Sequence, residues 1–346
     1  MKLYETITDD VYVIAEMSAN HAGSKQRAME IVHAAHEAGA DCLKIQTYTA
    51  DTLTIDCHNE YFTMKEGTWK GQNYYELYSK AYTPWEWQAD IKAEAQKLGM
   101  DFLSTPFDNT AVDFLEELGV EFYKIASFEL VDIPLIKYVA SKNKPIIMST
   151  GMGSLEEIEE AVDTIRATGN SKLVLLKCTS AYPADYSAMN LKTIADMSQR
   201  FKVPIGLSDH SMGATAPVAA VAMGASVIEK HFCISRKVDN PDSSFSMEAV
   251  EFAEMVKAVK NARKTMGSVR YGVEPHELND YPSRRSLFVT ADIKAGEIFT
   301  PENVRSIRPA AGMHTRYYEE VLGRRATMDI AFGTPLKAEH VDGLDI

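Results

Sequence analysis

Residues 203–232 read VPIGLSDHSMGATAPVAAVAMGASVIEKHF, and this stretch contains one complete unit of the fold. Its two ends, VPIGLSD (203–209) and SVIEKHF (226–232), are short apolar runs that predict buried strands. The interval between them is long enough for a helix, and Gly224 supplies the left-handed residue that often ends one. The stretch therefore predicts a strand, a helix and a second, parallel strand.

Six earlier apolar runs follow the same plan. They are VYVIAEMS (11–18), CLKIQTY (42–48), MDFLSTPF (100–107), EFYKIAS (121–127), KPIIMST (144–150) and LVLLKCTS (173–180). Gly39, Gly99 and Gly119 stand at helix ends as Gly224 does. Eight strand–helix units predict a closed (β/α)8 TIM barrel, whose functional residues lie at the carboxyl ends of the strands.

Two helix starts carry the pattern of a capping box. Ser154 is followed three residues later by Glu157, and Thr83 is followed by Glu86 in the same place. In this motif the hydroxyl and the carboxylate each bind a backbone N–H of the first helical turn. We therefore expect helices to begin just after Ser154 and Thr83.

Residues 49–82 interrupt the repeat. They contain aromatic residues and glycines without a helical period, and we call them the lid segment. A loop of this length in a compact domain is usually functional or disordered, and the aromatic content favours an ordered lid or substrate wall over the barrel mouth. The alternative is a loop that serves packing or dimer contact.

The pattern changes again after the last strand. Ser246 is predicted to cap an amphipathic helix that runs to about Thr265, and residues 268–283 then mix turn formers and charges as a linker would. From residue 284 the chain consists of short strand-like runs separated by turns. We expect a barrel domain over 1–267 and a small β-rich domain over 284–346.

The net charge and the distribution of apolar residues argue against two classes of function, nucleic-acid binding and membrane binding. The chain has 346 residues, 45% of them apolar, and a formal net charge of −13. An acidic surface argues against general nucleic-acid binding, so an anionic substrate would need a locally basic pocket. The first ten residues, MKLYETITDD, carry no apolar signal core, and no later run approaches a membrane span. We expect a cytoplasmic protein that binds neither nucleic acid nor membrane.

The four cysteines are scattered along the chain. Three of them, Cys42, Cys178 and Cys233, lie in or beside predicted strands, and Cys57 lies in the lid segment. This spacing favours buried free thiols over disulfides, a zinc cluster or a nucleophile.

The last two strands end in Asp209-His210 and Glu229-Lys230-His231. Because neighbouring parallel strands end at the same rim, the two imidazoles should meet there. Two histidines with nearby carboxylates suit a divalent metal such as Mn, Fe, Co or Zn. A pair of hydrogen-bonded core histidines is the alternative for either residue alone.

Lys44 and Lys124 lie within strands, where a buried ammonium is costly unless it meets an anion. Hydroxyl residues stand at the other strand ends: Thr105, Ser127, Ser149, Thr150, Thr179, Ser180 and Ser208. Cations and hydroxyls together suit a small ligand that carries phosphate and carboxylate groups. Each hydroxyl taken singly could instead cap a helix.

Acidic residues complete the set. Glu16, Glu129 and Glu229 follow or end three strands and could position a hydroxyl, act as a general base or balance charge. A different chemistry, a Schiff base on Lys44, Lys124 or Lys177, would be typical of barrel aldolases. The paired histidines argue against it, because an iminium site needs no metal.

The strand ends AEMSANH, LKIQTYT, STPFD, YKIAS, MSTGM, KCTSAYP, GLSDHS and IEKHF resemble, in this order, the signature motifs of the sialic acid synthase family. The later stretch ADIKAGEIFTPENVRSIRPAAGM is similar to the antifreeze-protein-like SAF domain that follows the barrel in that family. The resemblance covers nearly the whole chain and implies a TIM barrel followed by a SAF domain.

The resemblance also implies roles for individual residues. The metal ligands are His210 and His231, with Mn expected and Mg, Co, Fe or Zn as alternatives. The phosphoenolpyruvate pocket comprises Lys44, Lys124, Ser127, Ser149, Ser180 and Ser208, and the sugar contacts comprise Glu16, Gln46, Tyr182, Asp242 and, from the SAF domain of a partner subunit, Arg308. Glu16, Glu229, Lys44 and Lys124 are the expected catalytic groups. The chain departs from the family at Ser180, where Asn is common, and in NPDS, where the family has GPDH.

Within the family, AEMSANH and EGTWKGQNYYELYSKAYTPWEW are most similar to the pseudaminic acid synthases. These enzymes condense phosphoenolpyruvate with 2,4-diacetamido-2,4,6-trideoxy-β-L-altropyranose and water. The resemblance implies a metal-assisted, aldol-like step with C–O cleavage in a domain-swapped homodimer, and Phe62, Trp69 or Tyr74 is expected to meet the C6 methyl group. The alternatives are a legionaminate or N-acetylneuraminate synthase, a keto-deoxy-sugar phosphate synthase and, from another class, a non-catalytic sugar-binding barrel.

Overall fold

The computed structural model describes residues 2–346, and the chain divides after Gly267 into a first unit, Met1–Gly267, and a second unit, Ser268–Ile346. The predicted linker, residues 268–283, lies at the start of the second unit and contains two short 3₁₀ helices, Pro275–Glu277 and Tyr281–Ser283.

The first unit is built on eight parallel strands in sequence order. They are β1 Tyr12–Glu16, β2 Cys42–Thr47, β3 Asp101–Pro106, β4 Tyr123–Ile125, β5 Ile146–Ser149, β6 Leu173–Cys178, β7 Ile205–Asp209 and β8 Val227–Cys233. The sheet closes because β8 also pairs with β1, where Glu16 lies opposite His231. A two-residue strand, β9 (Met247–Glu248), pairs with the end of β8. The predicted TIM barrel is confirmed.

Helices connect the strands. They are α1 Leu3–Asp9, α2 Lys25–Glu37, α3 Ala50–Leu53, α4 Tyr74–Ala81, α5 Trp85–Lys97, α6 Asn109–Leu118, α7 Ile133–Ser141, α8 Leu155–Ala167, α9 Thr193–Phe201, α10 Thr215–Ala222 and α11 Ala249–Met266. Short 3₁₀ helices follow several strands: Ser18–His21, Ser127–Glu129, Tyr186–Ala188 and Ser243–Phe245. None of the helices in residues 2–346 combines the length and apolar character needed to cross a bilayer.

Two apolar layers fix the direction of every strand residue. The barrel interior contains Tyr12, Ile14, Leu176 and Val227, and Leu3 of α1 packs into the same layer. The alternate strand residues pack against the helices in the larger core, as Leu207 and its neighbours do. Leu3 brings α1 into the interior layer at the amino-terminal end of β1, so apolar residues close this end of the barrel. The polar residues of the interior lie at the carboxyl ends of the strands.

One predicted capping box is correct and one is wrong. Ser154 and Glu157 bind each other's backbone N–H groups at the start of α8, as predicted. At the start of α5 the cap position belongs to Pro84, and Thr83 lies one residue too early to cap the helix. Its hydroxyl instead lies 3.3 Å from Nε2 of His21.

The helix after β9 also begins later than predicted. Glu248, together with Glu251, caps α11. The predicted cap, Ser246, instead donates to the Asp242 carbonyl and accepts from the Asn20 amide, so its hydroxyl serves a loop contact. The predicted helix end near residue 265 agrees with the observed Met266.

The glycine and cysteine predictions are confirmed. Gly39, Gly99, Gly119 and Gly224 all have positive φ angles, of 84°, 81°, 71° and 103°. The four cysteines are free thiols, and those in β2, β6 and β8 are buried.

The second unit has its own small core. Strands β10 (Ser286–Val289) and β11 (Val304–Ile307) are antiparallel, and isolated bridges extend this pairing. A four-residue helix, α12 (Tyr318–Val321), follows, with flanking 3₁₀ helices Thr315–Tyr317 and Ala338–His340. Leu287, Phe299 and Leu336 belong to its buried apolar cluster. This is the β-rich domain that the turn pattern predicts.

Candidate active site

The alternation of side chains along the strands directs the polar strand-end residues into the barrel interior. In β1, Ile14 faces inward, and therefore so does Glu16, two residues later. In β8, Val227 faces inward, and the same alternation brings in Glu229 and His231. The buried apolar layer below and the open strand ends above place these groups at the bottom of the barrel mouth.

Four charged groups from four strands meet there. The Lys44 ammonium lies 2.9 Å from Glu16 and 3.5 Å from Glu229, and the Lys124 ammonium lies 3.7 Å from Glu229. All four side chains are buried. Two carboxylates and two ammoniums thus balance one another in a region of low dielectric, where each charge strongly affects its neighbours.

The pKa values of these groups follow from burial and pairing. Burial lowers the pKa of Lys44, but Glu16 and Glu229 outweigh it and hold the value above its usual range. Burial lowers the pKa of Lys124, which Glu229 only partly offsets. Burial raises the pKa of Glu16, whereas for Glu229 the two lysines overcome burial and lower it. Glu229 is therefore the carboxylate held most firmly in its ionised form.

Hydroxyl groups surround the lysines. Lys124 donates to Ser149 Oγ at 2.7 Å, and Ser208 Oγ donates to Glu229 at 3.0 Å. Ser127 Oγ accepts the backbone N–H of Gly151 at 3.0 Å. A Cβ atom on Gly151 would overlap Ser180 Oγ and lie 2.8 Å from Ser127 Oγ. The structure therefore brings the four predicted serines together around Lys124, Glu229 and Gly151.

The residues predicted to meet a sugar form a neighbouring network. Gln46 donates from its amide to Glu16 at 2.9 Å and to Ser18 Oγ at 3.0 Å. Asp242, buried, accepts the backbone N–H of Ala19 at 3.1 Å, and burial raises its pKa. Ser18 has a φ of 45°, an unusual value for a serine. The sequence pattern gave no signal for Ser18, because its position depends on this turn.

Glu129 lines the same cavity from the 3₁₀ helix after β4. Its Oε2 atom is buried and has no hydrogen-bond partner among the described residues. Burial raises the pKa of Glu129 to about 7. A carboxyl group in this state can hold or release a proton near neutral pH.

The two histidines meet as predicted. The rings of His210 and His231 lie 5.4 Å apart between centroids, and Tyr182 lies 4.3 Å from the His210 ring. Nδ1 of His210 lies 3.1 Å from the carbonyl oxygen of Thr179. A proton on Nδ1 therefore satisfies this carbonyl and leaves Nε2 with a free lone pair.

These residues fit a divalent ion. His231 is half-buried, its buried Nδ1 atom has no hydrogen-bond partner among the described residues, and desolvation lowers its pKa well below the usual value. Such an imidazole is neutral and can offer a lone pair to a cation. Within residues 2–346 no cluster of three or more His, Cys, Asp or Glu side chains is placed to hold a metal ion, and the two imidazoles are the nitrogen donors that meet here.

The lid segment is ordered above these groups. It contains α3, a 3₁₀ helix at Glu60–Phe62, and α4. The Trp69 indole donates to the Pro241 carbonyl at 3.0 Å, and the Thr68 hydroxyl donates to the Tyr182 carbonyl. These contacts hold the lid segment to loops that follow β6 and β8.

The lid segment and the strand ends enclose a cavity of about 850 Å³. The polar residues of its lining include Gln46, Glu129, Ser180, Tyr182, His231 and Asp242. The apolar and aromatic residues of its lining include Tyr48, Leu53, Met64, Tyr74, Leu77, Tyr78 and Phe107. Of the three lid aromatics expected near a C6 methyl group, Trp69 and Tyr74 line the cavity and Phe62 does not.

The structure also locates Lys177, an alternative Schiff-base lysine, and Arg308, an expected sugar contact. Lys177 faces outward from β6, between Leu176 and Cys178 of the interior, and donates to the Cys178 carbonyl at 2.7 Å. It cannot form a Schiff base with a ligand inside the barrel. Arg308 lies in the second unit, just after β11, and is exposed.

Asp209 was expected near the imidazoles as a supporting carboxylate. It faces the opposite side of β7 and lies 2.5 Å from the ammonium of Lys230. The reason is the two-residue period of a strand, which sends neighbours to opposite faces. Gly151, Ser18 and this buried pair are features that the sequence pattern did not reveal.

The closed barrel, with charged groups and paired imidazoles at the carboxyl ends of its strands, defines a TIM-barrel enzyme. The chain matches the model of the NeuB family over residues 31–271 and that of the SAF domain over residues 284–342. The chain belongs to the NeuB family, and the resemblance to the sialic acid synthases is confirmed.

Several relatives are similar over most of their length. The pseudaminic acid synthase of Campylobacter jejuni is 45% identical over 94% of this chain and 95% of the relative, and that of Helicobacter pylori is 40% identical over 95% and 97%. A crystal structure of N-acetylneuraminic acid synthetase from Leptospira borgpetersenii is 31% identical, with a TM-score of 0.70 over 78% of this chain and 90% of that chain.

Proposed function

We propose that the chain condenses phosphoenolpyruvate with 2,4-diacetamido-2,4,6-trideoxy-β-L-altropyranose and water to give pseudaminate and phosphate. The observation that carries the proposal is the position of two buried ammoniums, Lys44 and Lys124, beneath a cavity lined by both polar and apolar residues. Lys44 lies two residues below the cavity-lining Gln46 along β2. The two buried ammoniums at the bottom of the site would bind a small anion, and the cavity above them is suited to an amino sugar.

The apolar part of the cavity lining supports a 6-deoxy, diacetamido sugar over N-acetylmannosamine. Such a sugar presents a methyl group at C6 where N-acetylmannosamine carries a hydroxymethyl group, and its two acetamido groups add two more methyl groups. Leu53, Leu77 and Phe107 offer aliphatic and aromatic surface for such groups. The pseudaminic acid synthases at 45% and 40% identity point to the same sugar.

We assign a divalent ion, Mn expected, to His210 and His231. When bound, this ion supplies Lewis acidity toward the carbonyl oxygen of the open-chain sugar. His210 would hold the ion through Nε2, because Thr179 occupies the side of Nδ1. Tyr182 and Phe245 pack against the imidazoles and restrict their rotation.

The residues of the chain have the following roles in the reaction. Lys44, Lys124 and the four serines bind phosphoenolpyruvate, while Gln46, Asp242 and Glu16 orient the sugar. C3 of phosphoenolpyruvate forms a bond to the aldehyde carbon, the aldehyde oxygen takes the carbonyl electron pair and then a proton from solvent, and positive charge develops at C2. Glu229, held ionised by both lysines, stabilises that charge and accepts a proton from the water that adds to C2. The bond between C2 and the phosphate oxygen then breaks, and the lysines stabilise the departing phosphate.

A panel of sugars tests this function. The purified chain is incubated with phosphoenolpyruvate, Mn²⁺ and one of three sugars: the altrose derivative, the legionaminate precursor or N-acetylmannosamine. The products are identified by mass spectrometry. Pseudaminate should form with the highest kcat/KM. Preference for another sugar would assign the chain to a legionaminate or N-acetylneuraminate synthase, and sugar binding without phosphate release would identify a non-catalytic protein.

We further propose that the active form is a domain-swapped homodimer in which Arg308 completes the partner's sugar site. The test mixes two inactive variants, Lys124→Met and Arg308→Ala, after mild dissociation. In a swapped heterodimer one site has an intact barrel and an intact Arg308, so random mixing should restore about a quarter of the wild-type rate. If Arg308 acts within its own chain, neither site is complete and no activity returns.

A further inference from the structure

A buried ion pair ties together the two strands that carry the histidines. Asp209 of β7 and Lys230 of β8 are direct register partners, and their charged atoms lie 2.5 Å apart. Their side chains are 0% and 1% exposed. Each residue immediately precedes one of the two histidines, His210 and His231, whose side chains face the other side of the sheet.

The pair also holds the backbone on both sides of His210. Asp209 Oδ1 accepts the backbone N–H of Ser211 at 2.9 Å, and Lys230 donates to the Ser211 carbonyl. The residues before and after His210 are thus bound to one ammonium on β8. The carbonyl of His210 itself accepts the N–H of Ala184 at 2.9 Å. Little freedom remains for the backbone that carries this imidazole.

Stability alone does not account for such a pair. Removing two charges from water costs free energy that their attraction often fails to recover, and apolar residues of similar size can serve the core as well or better. The best-attested use of buried ionic groups is to select one geometry among several. Here the geometry under control is the relative position of the ends of β7 and β8.

We infer that Asp209 and Lys230 are positioning residues that set the spacing of the two imidazoles for one divalent ion. This inference rests on the proposed metal role of His210 and His231. A metal site with only two protein ligands depends strongly on their mutual placement, since the chain supplies no third ligand within the described residues that could compensate. The pair touches neither the cavity nor the phosphate-binding lysines.

The test uses an uncharged pair of nearly the same shape, Asp209→Asn with Lys230→Met, in the full-length chain stripped of metal. Mn²⁺ binding is followed by the electron paramagnetic resonance signal of the free ion, and phosphoenolpyruvate binding is measured by calorimetry without metal. The double variant should bind Mn²⁺ about 10- to 100-fold more weakly, as expected for residues that orient metal ligands. Phosphoenolpyruvate affinity should be unchanged, because Lys44, Lys124 and the serines are intact.

A second ion pair, partly exposed, provides a control away from the histidines. Lys260 of α11 lies 3.3 Å from Asp41, which precedes β2 at the amino-terminal end of the barrel. Asp41→Asn with Lys260→Met removes the same charges away from the histidines. This control should leave the Mn²⁺ affinity at the wild-type value even if it lowers the melting temperature.

The outcomes separate this inference from the proposed function. Wild-type Mn²⁺ affinity in the Asp209→Asn, Lys230→Met chain would overturn the positioning role and leave the metal site in place. A wild-type chain that makes the sugar acid but binds neither Mn²⁺, Co²⁺ nor Zn²⁺ would overturn the positioning role together with the metal role of the histidines, and leave the proposed condensation in place. Where the double variant loses its fold, Asp209→Asn alone, which keeps an acceptor for Ser211, decides the question with the same measurements.

Discussion

The indole of Trp69 lies against the phenol ring of Tyr182, with centroids 5.3 Å apart and planes inclined by 50°. Tyr182 in turn lies 4.3 Å from His210, and Phe245 lies 5.1 Å from His231. Aromatic contacts therefore run from the lid segment to both imidazoles. Trp69 is the residue through which the lid segment reaches them.

Trp69→Ala should lower kcat/KM for the sugar at least tenfold, because it removes both the ring contact and the hydrogen bond to Pro241. Trp69→Phe keeps a ring and should cost about fivefold. Steady-state kinetics with each substrate varied in turn checks this, and the KM for phosphoenolpyruvate should change little.

Trp85→Phe is the control for that comparison. Its indole also donates to a backbone carbonyl, that of Tyr48, at 3.1 Å, but it packs on Phe114 in the helical layer and does not line the cavity. An equal loss of sugar turnover in Trp85→Phe and Trp69→Phe would mean that Trp69 serves stability alone.

Gly151→Ala should raise the KM for phosphoenolpyruvate at least tenfold, since the added methyl group would occupy space now filled by Ser180 Oγ and crowd Ser127 Oγ. The fold should survive, and Mn²⁺ affinity should be retained. Adding Ser180→Ala removes the nearest oxygen, so the Gly151→Ala, Ser180→Ala chain should regain part of the lost affinity. Ser180→Ala alone measures the contribution of that hydroxyl, and a double variant weaker than both single variants would show that the methyl group acts by displacing the loop.

Glu129→Gln should make the stability of the chain less dependent on pH. The pKa of Glu129 in the folded chain, about 7, lies above the ordinary 4.5, so the folded chain retains a proton that the unfolded chain has lost. Wild-type stability should therefore fall as pH rises from about 4.5 to about 7. The Gln variant avoids this loss and should be more stable at pH 8 by up to about 3 kcal/mol, but by less than about 1 kcal/mol at pH 5.

Denaturant unfolding at pH 5, 6, 7 and 8 measures this difference. Glu117→Gln, on the exposed face of α6, is the matched control and should follow the wild type at every pH. A constant offset between wild type and Glu129→Gln across the range would indicate that Glu129 is already ionised at pH 5.

Deleting residues 284–346 should abolish sugar turnover and leave a folded barrel. Both apolar clusters of the first unit draw only on residues before Gly267, so the barrel retains its core. Circular dichroism should show cooperative unfolding, and Mn²⁺ should still bind. Full activity of the shortened chain would remove any role for the second unit in the reaction.

The barrel could be predicted from the sequence because each strand is an apolar run and several helix ends are marked by glycine. The site residues at strand ends followed, since alternation fixes the direction of Glu16, Lys44 and Glu229. The capping box predicted at Thr83 is absent. The prediction rested on spacing alone, and Pro84 occupies the cap position in place of Thr83. Asp209 is next to His210 in sequence, but the two-residue period of a strand turns its carboxylate to the opposite face, where it pairs with Lys230.

The lid segment could be located from the sequence but not described. Its aromatic residues have no period, so nothing in the pattern separates Trp69 and Tyr74, which line the cavity, from Phe62, which does not. Their positions depend on contacts with distant loops, such as the bond from Trp69 to Pro241. Such long-range contacts leave no trace in local spacing.

The apolar lining of the cavity is encoded largely by one continuous stretch, residues 49–82, whereas the two lysines proposed to bind the anion and the two imidazoles lie in or just after four separate strands. Evolution can therefore alter the choice of sugar by exchanging a single segment without disturbing the bond-forming chemistry. For the same reason, residues 49–82 could be exchanged as one unit among related synthases in the laboratory.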